Sequence, residues 1–238
     1  MSNVALSVLD EHIAQAPGGP GVSANERAKR RRKGLPNYRL IRYADDWCLV
    51  VSGTKADAEA LREEIAGVLS PMGLRLSPEK TLITHIDGGL DFLGWRIQRH
   101  RKRGTSKQYV YTYPSRKAVK AVTGKVRMLC RQMDTSQPLD ALLRQLNPAL
   151  KGWCVYFRPG VSSAAFGYLS FYTWQQVGRW LRRKHRRSSW KDLRRRYYKG
   201  GIWWPASEER SLFSPTKVGT TRYRYRGAKI PTPWPVGG

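Results

Sequence analysis

Two short runs of apolar, β-prone residues occupy positions 38–42 and 47–51 of the chain. Between them stands Tyr43-Ala44-Asp45-Asp46, which places two adjacent carboxylates at the point where the apolar pattern breaks. Runs of this length and composition predict two strands that return on each other, with the acidic residues at the turn.

The apolar positions on either side of this hairpin repeat at helical spacing. They predict an amphipathic helix over residues 3–16. They also predict a helix that begins after Thr54, which can act as its N-cap with Asp57 three residues later, and that stops at Gly73. Beyond that helix, the pattern predicts a strand and then a hairpin across Asp87-Gly88-Gly89, with strands at residues 74–76, 82–86 and 90–97.

From about residue 115 the periodicity becomes helical, and it predicts four helices, over residues 115–133, 138–147, 164–184 and 188–198. Residues 100–107 are basic and loop-like, and residues 109–113 are β-prone. The predicted fold class is therefore α+β, with a mostly antiparallel sheet and its helices followed by a mainly helical domain.

Charge divides the chain sharply. Residues 1–92 carry 12 basic and 12 acidic side chains, whereas residues 93–238 carry 32 basic and 5 acidic ones, which accounts for the net charge of +27. Such an excess repels itself unless a polyanion accompanies it, so nucleic acid is the leading candidate partner and an anionic membrane surface the second. The basic run at 27–33 is predicted to be a solvated, mobile segment, with nucleic-acid contact as the alternative.

Other classes are disfavoured by what the sequence lacks. No run of 18 apolar residues is present, so no transmembrane helix is expected, and the start of the chain has no secretory pattern. Cys48, Cys130 and Cys154 are widely spaced, and neither a Cys-x-x-Cys pair nor a close His pair suggests structural zinc. We therefore expect an intracellular protein in a reducing compartment.

The acidic turn has a catalytic interpretation and a purely structural one. Hard divalent cations prefer oxygen ligands, and phosphoryl transfer uses two such cations close together, so a hairpin that presents Asp45 and Asp46 is typical of a polymerase palm. The structural interpretation is a hairpin whose tip happens to be acidic.

Several blocks, taken in order, resemble a known family. Tyr43–Asp46, Gly73–Thr81 and Asp91–Trp95 resemble the last three palm blocks of group II intron reverse transcriptases. The segments that resemble the maturase-specific domain of the same proteins are Leu146–Trp153, Tyr156-Phe157, Trp174–Trp180 and Trp190–Tyr197. Blocks in one order across both halves are far more specific than an aspartate pair, and the resemblance runs from about residue 3 to the end.

The resemblance implies a polymerase hand that is incomplete in this chain. Complete members of the family have fingers and a further catalytic aspartate on a separate strand. Asp10 is the only aspartate before Tyr43, and it lies in the first predicted helix. We therefore expect a C-terminal fragment, produced by a truncated gene or a misplaced start codon.

The same resemblance assigns roles at the acidic turn. Asp45 and Asp46 would bind Mg²⁺, with Asp45 the firmer ligand, and Tyr43 would shape the palm floor near the primer end. Lys80 matches the basic position that neutralises the departing pyrophosphate. Two carboxylates are too few to hold two cations, and the fingers are missing, so whether the chain is an enzyme stays open and we expect it not to extend a primer alone.

In the basic half, the resemblance implies a thumb and maturase domain that grips folded intron RNA. Arginine forks match phosphates in bidentate geometry. The predicted phosphate contacts are Arg182, Arg183, Lys184, Arg186, Arg187, Arg194, Arg195 and Arg196. Apolar residues punctuate and precede this stretch, and those predicted to be core are Trp180, Leu181, Trp190, Leu193, Trp153, Tyr156 and Phe157.

Residues 201–238, the tail of the chain, resemble the DNA-binding tail of the family. This resemblance makes target DNA a candidate partner through Arg222, Arg224, Arg226 and Lys229. An endonuclease needs His and Cys metal-ligand clusters, and the tail has neither after His185, so cutting of a target strand is not expected.

The predicted organisation is a partial reverse transcriptase palm, a basic connector, a helical thumb/maturase domain and a basic aromatic tail, at residues 1–98, 99–114, 115–200 and 201–238. The predicted function is the C-terminal part of an RNA-directed DNA polymerase and maturase that binds intron RNA to promote splicing and mobility, in the bacterial cytosol rather than an organelle. The alternatives are a non-catalytic RNA-binding splicing factor and a nonspecific cationic binder of nucleic acid.

Overall fold

A computed structural model describes residues 2–198 and 203–221 of the chain. Within these residues the fold divides into two compact units, unit 1 up to residue 88 and unit 2 from residue 89 onward. Seven α-helices and two small antiparallel sheets make up the described residues, which confirms the α+β class.

Unit 1 combines three helices with one hairpin. Its elements are α1 (Ser2–Gln15), α2 (Ala24–Arg32), β1 (Asn37–Tyr43), β2 (Asp46–Ser52) and α3 (Lys55–Leu69), followed by a single 3₁₀ turn at Ser70–Met72. Strands β1 and β2 pair antiparallel with Tyr43 opposite Asp46, so the predicted hairpin with its acidic turn is confirmed.

The core of unit 1 lies between α1, α3 and one face of the hairpin. The helices bury six apolar side chains, which are Leu6, Leu9, Ile13, Leu61, Ile65 and Leu69. Because side chains alternate along a strand, Leu40 and its partner Leu49 face this core, whereas Ile41 and Val50 on the other face are exposed. The hairpin is thus packed on one side only.

Helix α3 begins as predicted. The Thr54 hydroxyl accepts a hydrogen bond from the Asp57 backbone N–H, and the Thr54 backbone N–H donates to the Asp57 carboxylate at 2.7 Å, which forms a complete capping box. These bonds, with the backbone bond the stronger cause, lower the pKa of Asp57. Gly73 ends the segment with a φ of 71°.

The basic run at 27–33 lies mostly in helix α2, which Ser23 caps and which buries no residue, and Arg30 donates two bonds to the Pro36 carbonyl, at 3.1 and 3.2 Å. Another prediction for unit 1 is wrong. Residues 74–89, all of them described, contain no strand, so neither the strand at 74–76 nor the hairpin across Asp87-Gly88-Gly89 is present.

Unit 2 begins with a three-stranded antiparallel sheet and continues with four helices. Its elements are β3 (Leu90–Phe92), β4 (Trp95–Arg101), β5 (Gln108–Pro114), α4 (Arg116–Gln132), α5 (Leu139–Phe157), α6 (Ser163–Lys184) and α7 (Trp190–Tyr197). Strands β3 and β4 turn at Leu93-Gly94, where both residues have positive φ angles, the geometry that two-residue hairpin turns favour. The Tyr156 hydroxyl donates to the Leu93 carbonyl at 2.8 Å and holds this turn.

The four predicted helices of unit 2 are confirmed, with one difference. Helix α5 was expected to end at residue 147, yet it continues through Pro148 to Phe157. Proline removes one backbone hydrogen bond. On both sides of it the helix buries Leu146, Leu150 and Cys154 completely, and this burial holds the helix together across the proline. The segment predicted as a basic connector, residues 99–114, contains the ends of β4 and all of β5.

The core of unit 2 is centred on Trp180, which is fully buried and whose Nε1–H donates to the Met133 carbonyl at 3.0 Å. Leu181 and Leu193 are buried and Trp190 packs against them, so the predicted core stripe is confirmed. Of the three aromatics predicted as core in α5, Phe157 is buried and Trp153 is partly buried, whereas Tyr156 is half exposed.

Residues 203–214 are fastened to α5 by polar contacts. The Asn147 amide donates to the Ser211 carbonyl at 2.9 Å, and its oxygen accepts from the Phe213 backbone N–H at 2.8 Å. Asp140 forms ion pairs with Arg144 at 2.7 Å and with Arg210 at 3.1 Å. Asn147 lies in one of the blocks that resemble the maturase domain, and its contacts give it a structural role.

Candidate nucleic-acid interface

The acidic turn lies at the exposed end of the β1–β2 hairpin. Tyr43 is 67% exposed, and Asp45 and Asp46 are also exposed. Ala44 adopts a φ of 51°, a left-handed conformation that non-glycine residues seldom take and that closes the two-residue turn. The turn therefore brings Tyr43, Asp45 and Asp46 together at the surface, as the sequence predicted.

The strand beside the turn is tied to α1 by an ion pair. The Arg42 guanidinium donates from Nε at 2.9 Å and from Nη2 at 2.6 Å to Asp10, whose side chain is nearly buried. Asp10, the only aspartate that precedes the turn, thus has a structural contact with Arg42.

The donors at the turn fit magnesium in kind, because carboxylate oxygens are the hard ligands that Mg²⁺ prefers. They are few in number, since no group of three or more His, Cys, Asp and Glu side chains able to hold a metal occurs within residues 2–198 and 203–221. Lys80 lies in a separate exposed turn after Ser77, to whose carbonyl its backbone N–H donates.

The basic surface of unit 2 follows from how α6 and α7 pack. Helix α6 buries Val177, Trp180 and Leu181, so its Arg179 and Arg182 are exposed on the outer side. Helix α7 likewise buries Leu193 and Tyr197, and its basic residues Lys191, Arg194, Arg195 and Arg196 face solvent. With Arg186 and Arg187 in the intervening turn, these residues form one basic segment of the chain, which we call the α6–α7 basic surface.

The one acid in this segment, Asp192, already has hydrogen-bond partners within the protein. Ser189 and Asp192 form a capping box at the start of α7, in which the Ser189 hydroxyl donates to the Asp192 carboxylate at 2.6 Å and the Ser189 N–H donates at 3.1 Å. These bonds lower the pKa of Asp192. Its charge therefore serves the N-terminus of α7.

Aromatic rings hold two of the arginines in place. The Arg182 guanidinium lies 5.2 Å from the centre of the Trp190 ring, and that of Arg194 lies 3.9 Å from the centre of the Trp203 ring. Such stacking restricts a guanidinium while its N–H groups stay available for a phosphate.

Two of the predicted phosphate contacts have partners inside the protein. The Lys184 ammonium donates to the carbonyls of Thr135 and Gln137 at 2.7 and 2.8 Å, and Arg183 donates to the Cys130 carbonyl. Both side chains therefore fasten α6 to α4 and the α4–α5 loop. The exposed arginines at positions 182, 186, 187 and 194–196 are better placed to meet a ligand.

Burial also affects titration next to this surface. His185 Nε2 and the Tyr197 hydroxyl share a hydrogen bond of 2.7 Å. Burial, with the charges of Arg196 and Lys184, lowers the pKa of His185, and burial raises that of Tyr197. The imidazole is therefore neutral at physiological pH, and the positive charge of the surface comes from arginine and lysine.

Sequence reasoning overlooked two groups of aromatics that are exposed or partly exposed. Tyr168 and Phe171 lie on the outside of α6, 52% and 59% exposed, and a spacing of three residues in a helix was the available signal. Tyr109, Tyr111 and Tyr113 alternate along β5, which indicates one face of a strand. The predicted DNA-binding residues Arg222, Arg224, Arg226 and Lys229 lie outside the described residues.

Part of unit 2 matches a known protein family. Residues 119–198 match the family described as "Group II intron, maturase-specific domain". The match covers most of α4 and all of α5, α6 and α7, and thus includes the α6–α7 basic surface. Over these residues the chain is therefore similar to the group II intron maturases, and the part of the predicted resemblance that concerns the maturase-specific domain is confirmed.

Individual relatives also match segments of the chain. The chain is 48% identical over 84 residues to Protein YkfC of Escherichia coli (strain K12), a segment that covers 35% of this chain and 22% of YkfC. It is 39% identical over 91 residues to the group II intron-encoded protein LtrA of Lactococcus lactis subsp. cremoris, which covers 34% of this chain and 15% of LtrA. The matched segments thus span less than a quarter of either relative. Within the described residues, no helix has the length and apolar character to cross a bilayer.

Proposed function

We propose that the chain acts as the C-terminal part of a group II intron reverse transcriptase/maturase and binds intron RNA to promote splicing and mobility. The carrying observation is that the residues matched to the maturase-specific domain are those whose outer side is the α6–α7 basic surface. In this proposal, unit 1 is the late palm, and the helices of unit 2 are the thumb and maturase domain.

The charge distribution supports RNA as the partner. Unit 2 and the tail carry nearly all of the basic excess, and the capping box removes Asp192 as an internal counter-ion. A surface of exposed arginines needs phosphates to neutralise it. Folded RNA is recognised largely by shape, phosphates and 2′-hydroxyls, and a rigid pair of helices that presents arginines at fixed positions suits that mode of recognition.

The acidic turn supports a weaker proposal for catalysis. Asp45 and Asp46 would hold Mg²⁺, which when bound would polarise phosphate oxygens, with Tyr43 on the palm floor and Lys80 near the departing pyrophosphate. Because the described residues add no third ligand, we propose that the chain alone does not extend a primer. Magnesium-dependent extension by the purified chain that disappears in Asp45→Asn would contradict this.

The lack of a third metal ligand among the described residues favours a second candidate function, an RNA-binding splicing factor without catalysis. In that case unit 1 is a scaffold, and Asp45→Asn leaves both intron RNA binding and splicing unchanged. A loss of splicing in Asp45→Asn, with RNA binding intact, would exclude this candidate.

The binding test compares two RNAs and two triple variants. A group II intron RNA and an RNA of equal length and shuffled sequence are titrated with the full chain at several salt concentrations. Replacing Arg194, Arg195 and Arg196 with Ala should weaken intron RNA binding and reduce the salt slope by about three, roughly one per lost phosphate contact. The matched control replaces Arg31, Arg32 and Lys33 of unit 1, which removes the same charge from an exposed helix end.

Two results would overturn the proposal. Equal affinity for both RNAs at physiological salt would indicate a nonspecific cationic binder, because phosphate contacts alone carry no specificity. A salt slope for the Arg194, Arg195 and Arg196 variant equal to that of the unmodified chain would mean that the α6–α7 basic surface does not contact the RNA.

A further inference from the structure

Three tyrosines line one face of the β4–β5 hairpin. Because strand residues alternate between faces, Tyr109, Tyr111 and Tyr113 lie on the same side of β5, opposite His100, Gln98 and Arg96 of β4 respectively. We call this surface the tyrosine face. It lies outside residues 119–198, which match the maturase-specific domain.

The opposite face of the hairpin is used for packing near its base. The Trp95 ring lies 4.7 Å from that of Phe157, and Gly160 fits against Trp95 because a side chain there would collide with the indole. This packing fixes the base of the hairpin to α5 and leaves the tyrosine face as its other side.

The rings of the tyrosine face are arranged side by side. The Tyr109 and Tyr111 ring centres are 6.5 Å apart at 63°, and the His100 ring lies 6.1 Å from that of Tyr111 and 6.0 Å from that of Tyr113. The Tyr113 hydroxyl donates to Gln98 at 2.7 Å, which anchors that ring. None of these rings is stacked in parallel on its neighbour. Tyr109 is 46% exposed, so its ring is accessible to a planar ligand.

A basic loop continues the tyrosine face at its distal end. Lys102, Arg103 and Lys107 are exposed, and none of them has an ion-pair partner within the part of the chain that the structure describes. The loop is shaped by a bond from the Lys102 N–H to the Lys107 carbonyl, and residues 101–106 enclose a shallow concavity of about 340 Å³. Asp91, an acid on this side of the sheet, is paired with Arg96 at 3.1 Å.

The exposed Tyr109 ring, the partly exposed Tyr111 ring and the unpaired cations beside them suit an unpaired nucleic-acid strand. Its bases stack on aromatic side chains, and its phosphates meet lysine and arginine. A double helix would offer the tyrosines no base faces, and an acidic peptide would not use the rings. We propose that the tyrosine face binds unpaired RNA, with bases against Tyr109 and Tyr111 and phosphates at the basic loop. The choice of RNA over DNA rests on the proposed function.

The test is photo-crosslinking of the full chain to an RNA of about 12 nucleotides that contains 4-thiouridine. Trypsin cleaves after Lys107 and Arg116, so a single peptide, residues 108–116, carries all three tyrosines. We expect this peptide to carry the crosslinked nucleotide. An abasic oligomer of equal charge should compete poorly for the site, because it lacks the faces that stack.

Paired variants separate stacking from charge. Tyr109→Ala with Tyr111→Ala should reduce crosslinking at 108–116 by roughly tenfold or more, because base stacking on one aromatic side chain is worth about a factor of ten, whereas the corresponding Phe variants should retain it. Replacing Lys102, Arg103 and Lys107 with Ala should lower the salt dependence of crosslinking and keep the preference over the abasic oligomer. In this variant trypsin releases the tyrosines in a longer peptide, residues 102–116.

The proposal is overturned if the nucleotide is found only on other peptides, if the Ala and Phe variants crosslink equally, or if the abasic oligomer competes as well as RNA. A 4-thiothymidine DNA that crosslinks to 108–116 as strongly as RNA would overturn the choice of RNA. Failure of the proposed function gives a different result: the chain then shows no preference for intron RNA, while the crosslink at residues 108–116 persists.

Discussion

The two compact units differ in how much core supports their surfaces. Among the described residues, six buried apolar side chains form the core of unit 1 and twenty form that of unit 2. The acidic turn belongs to the smaller unit and the α6–α7 basic surface to the larger one. Metal-dependent chemistry requires ligands held precisely by rigid elements, whereas RNA binding requires a stable array of charges. The larger core of unit 2 therefore supports the proposed RNA binding more than the proposed catalysis at the acidic turn.

The hairpin that bears the acidic turn illustrates the difference. It has two strands and one packed face, and a two-stranded sheet is marginal without further support. Its exposed face carries Ile41 and Val50, and its strand edges are templates for further pairing. The helices that carry the α6–α7 basic surface instead contribute to the larger core of unit 2.

The largest expected effect concerns the core of unit 2. Trp180→Ala should cost roughly 3–5 kcal/mol of unfolding free energy, because it removes a fully buried indole and leaves the Met133 carbonyl without its donor. Hydrogen exchange of α5 amides under increasing urea measures the loss. Phe171→Ala on the outside of α6 is the aromatic control and should cost less than about 1 kcal/mol. Similar losses for the two variants would refute the assigned core.

Shortening a core side chain of unit 1 should unfold that unit and leave unit 2 folded. Leu61→Ala should cost about 2–5 kcal/mol, enough to unfold a unit with so small a core. We expect β1 and β2 amides to lose protection while α5 amides keep theirs. Leu82→Ala, at a position that is 77% exposed, is the control. If α5 lost protection equally, the two units would unfold as one, and the size of each core would not set the stability of its own unit.

Local patterns predicted much of both units. The hairpin, the Thr54 cap and the helices were predictable because periodicity and capping depend on residues close in sequence. The strand at 74–76 was predicted wrongly, because apolar alternation indicates a strand only where a partner strand pairs with it. Pro148 suggested a helix end, but burial on both sides of it, a tertiary effect, keeps α5 continuous.

The candidate site shows the same limit. Its arginines were predictable from charge and resemblance, whereas the contacts of Lys184 with the Thr135 and Gln137 carbonyls depend on packing between distant segments. Tyr109, Tyr111 and Tyr113 were visible as an alternating pattern. Their significance needed the knowledge that the other face of the hairpin packs on α5.

The two capping boxes allow a matched comparison of smaller effects. Thr54→Ala in unit 1 and Ser189→Ala in unit 2 should each cost about 1 kcal/mol, since each removes a helix cap. Only Ser189→Ala should also weaken RNA binding, because it releases the Asp192 carboxylate among the arginines of α7. Binding and denaturation measurements on both variants test this. Equal RNA affinity in the two variants would mean that Asp192 has no influence on the surface.

The smallest expected effect is a pH dependence confined to unit 2. Burial raises the pKa of Asp140, but hydrogen bonding and charge from Arg144, with Arg210 and Ser207, outweigh it, so the folded pKa lies below the usual 3.8. The unfolded chain then binds the proton more readily, and the contribution of Asp140 is complete above pH 3.8 and is lost as the pH falls through the lower, folded pKa.

The effect is small because Arg144 is 60% exposed, so solvent screens the pair. Asp140→Asn should therefore be slightly less stable than the parent at neutral pH, and the difference should shrink below pH 3.8. Protease cleavage within residues 203–214 reports it, because Arg210 is one of the contacts that hold this segment to α5. Asp134→Asn is the control, since Asp134 accepts its bond from the nearby Ser136 backbone N–H. A difference between Asp140→Asn and parent that stayed constant down to pH 2 would show that the carboxylate charge does not hold the segment.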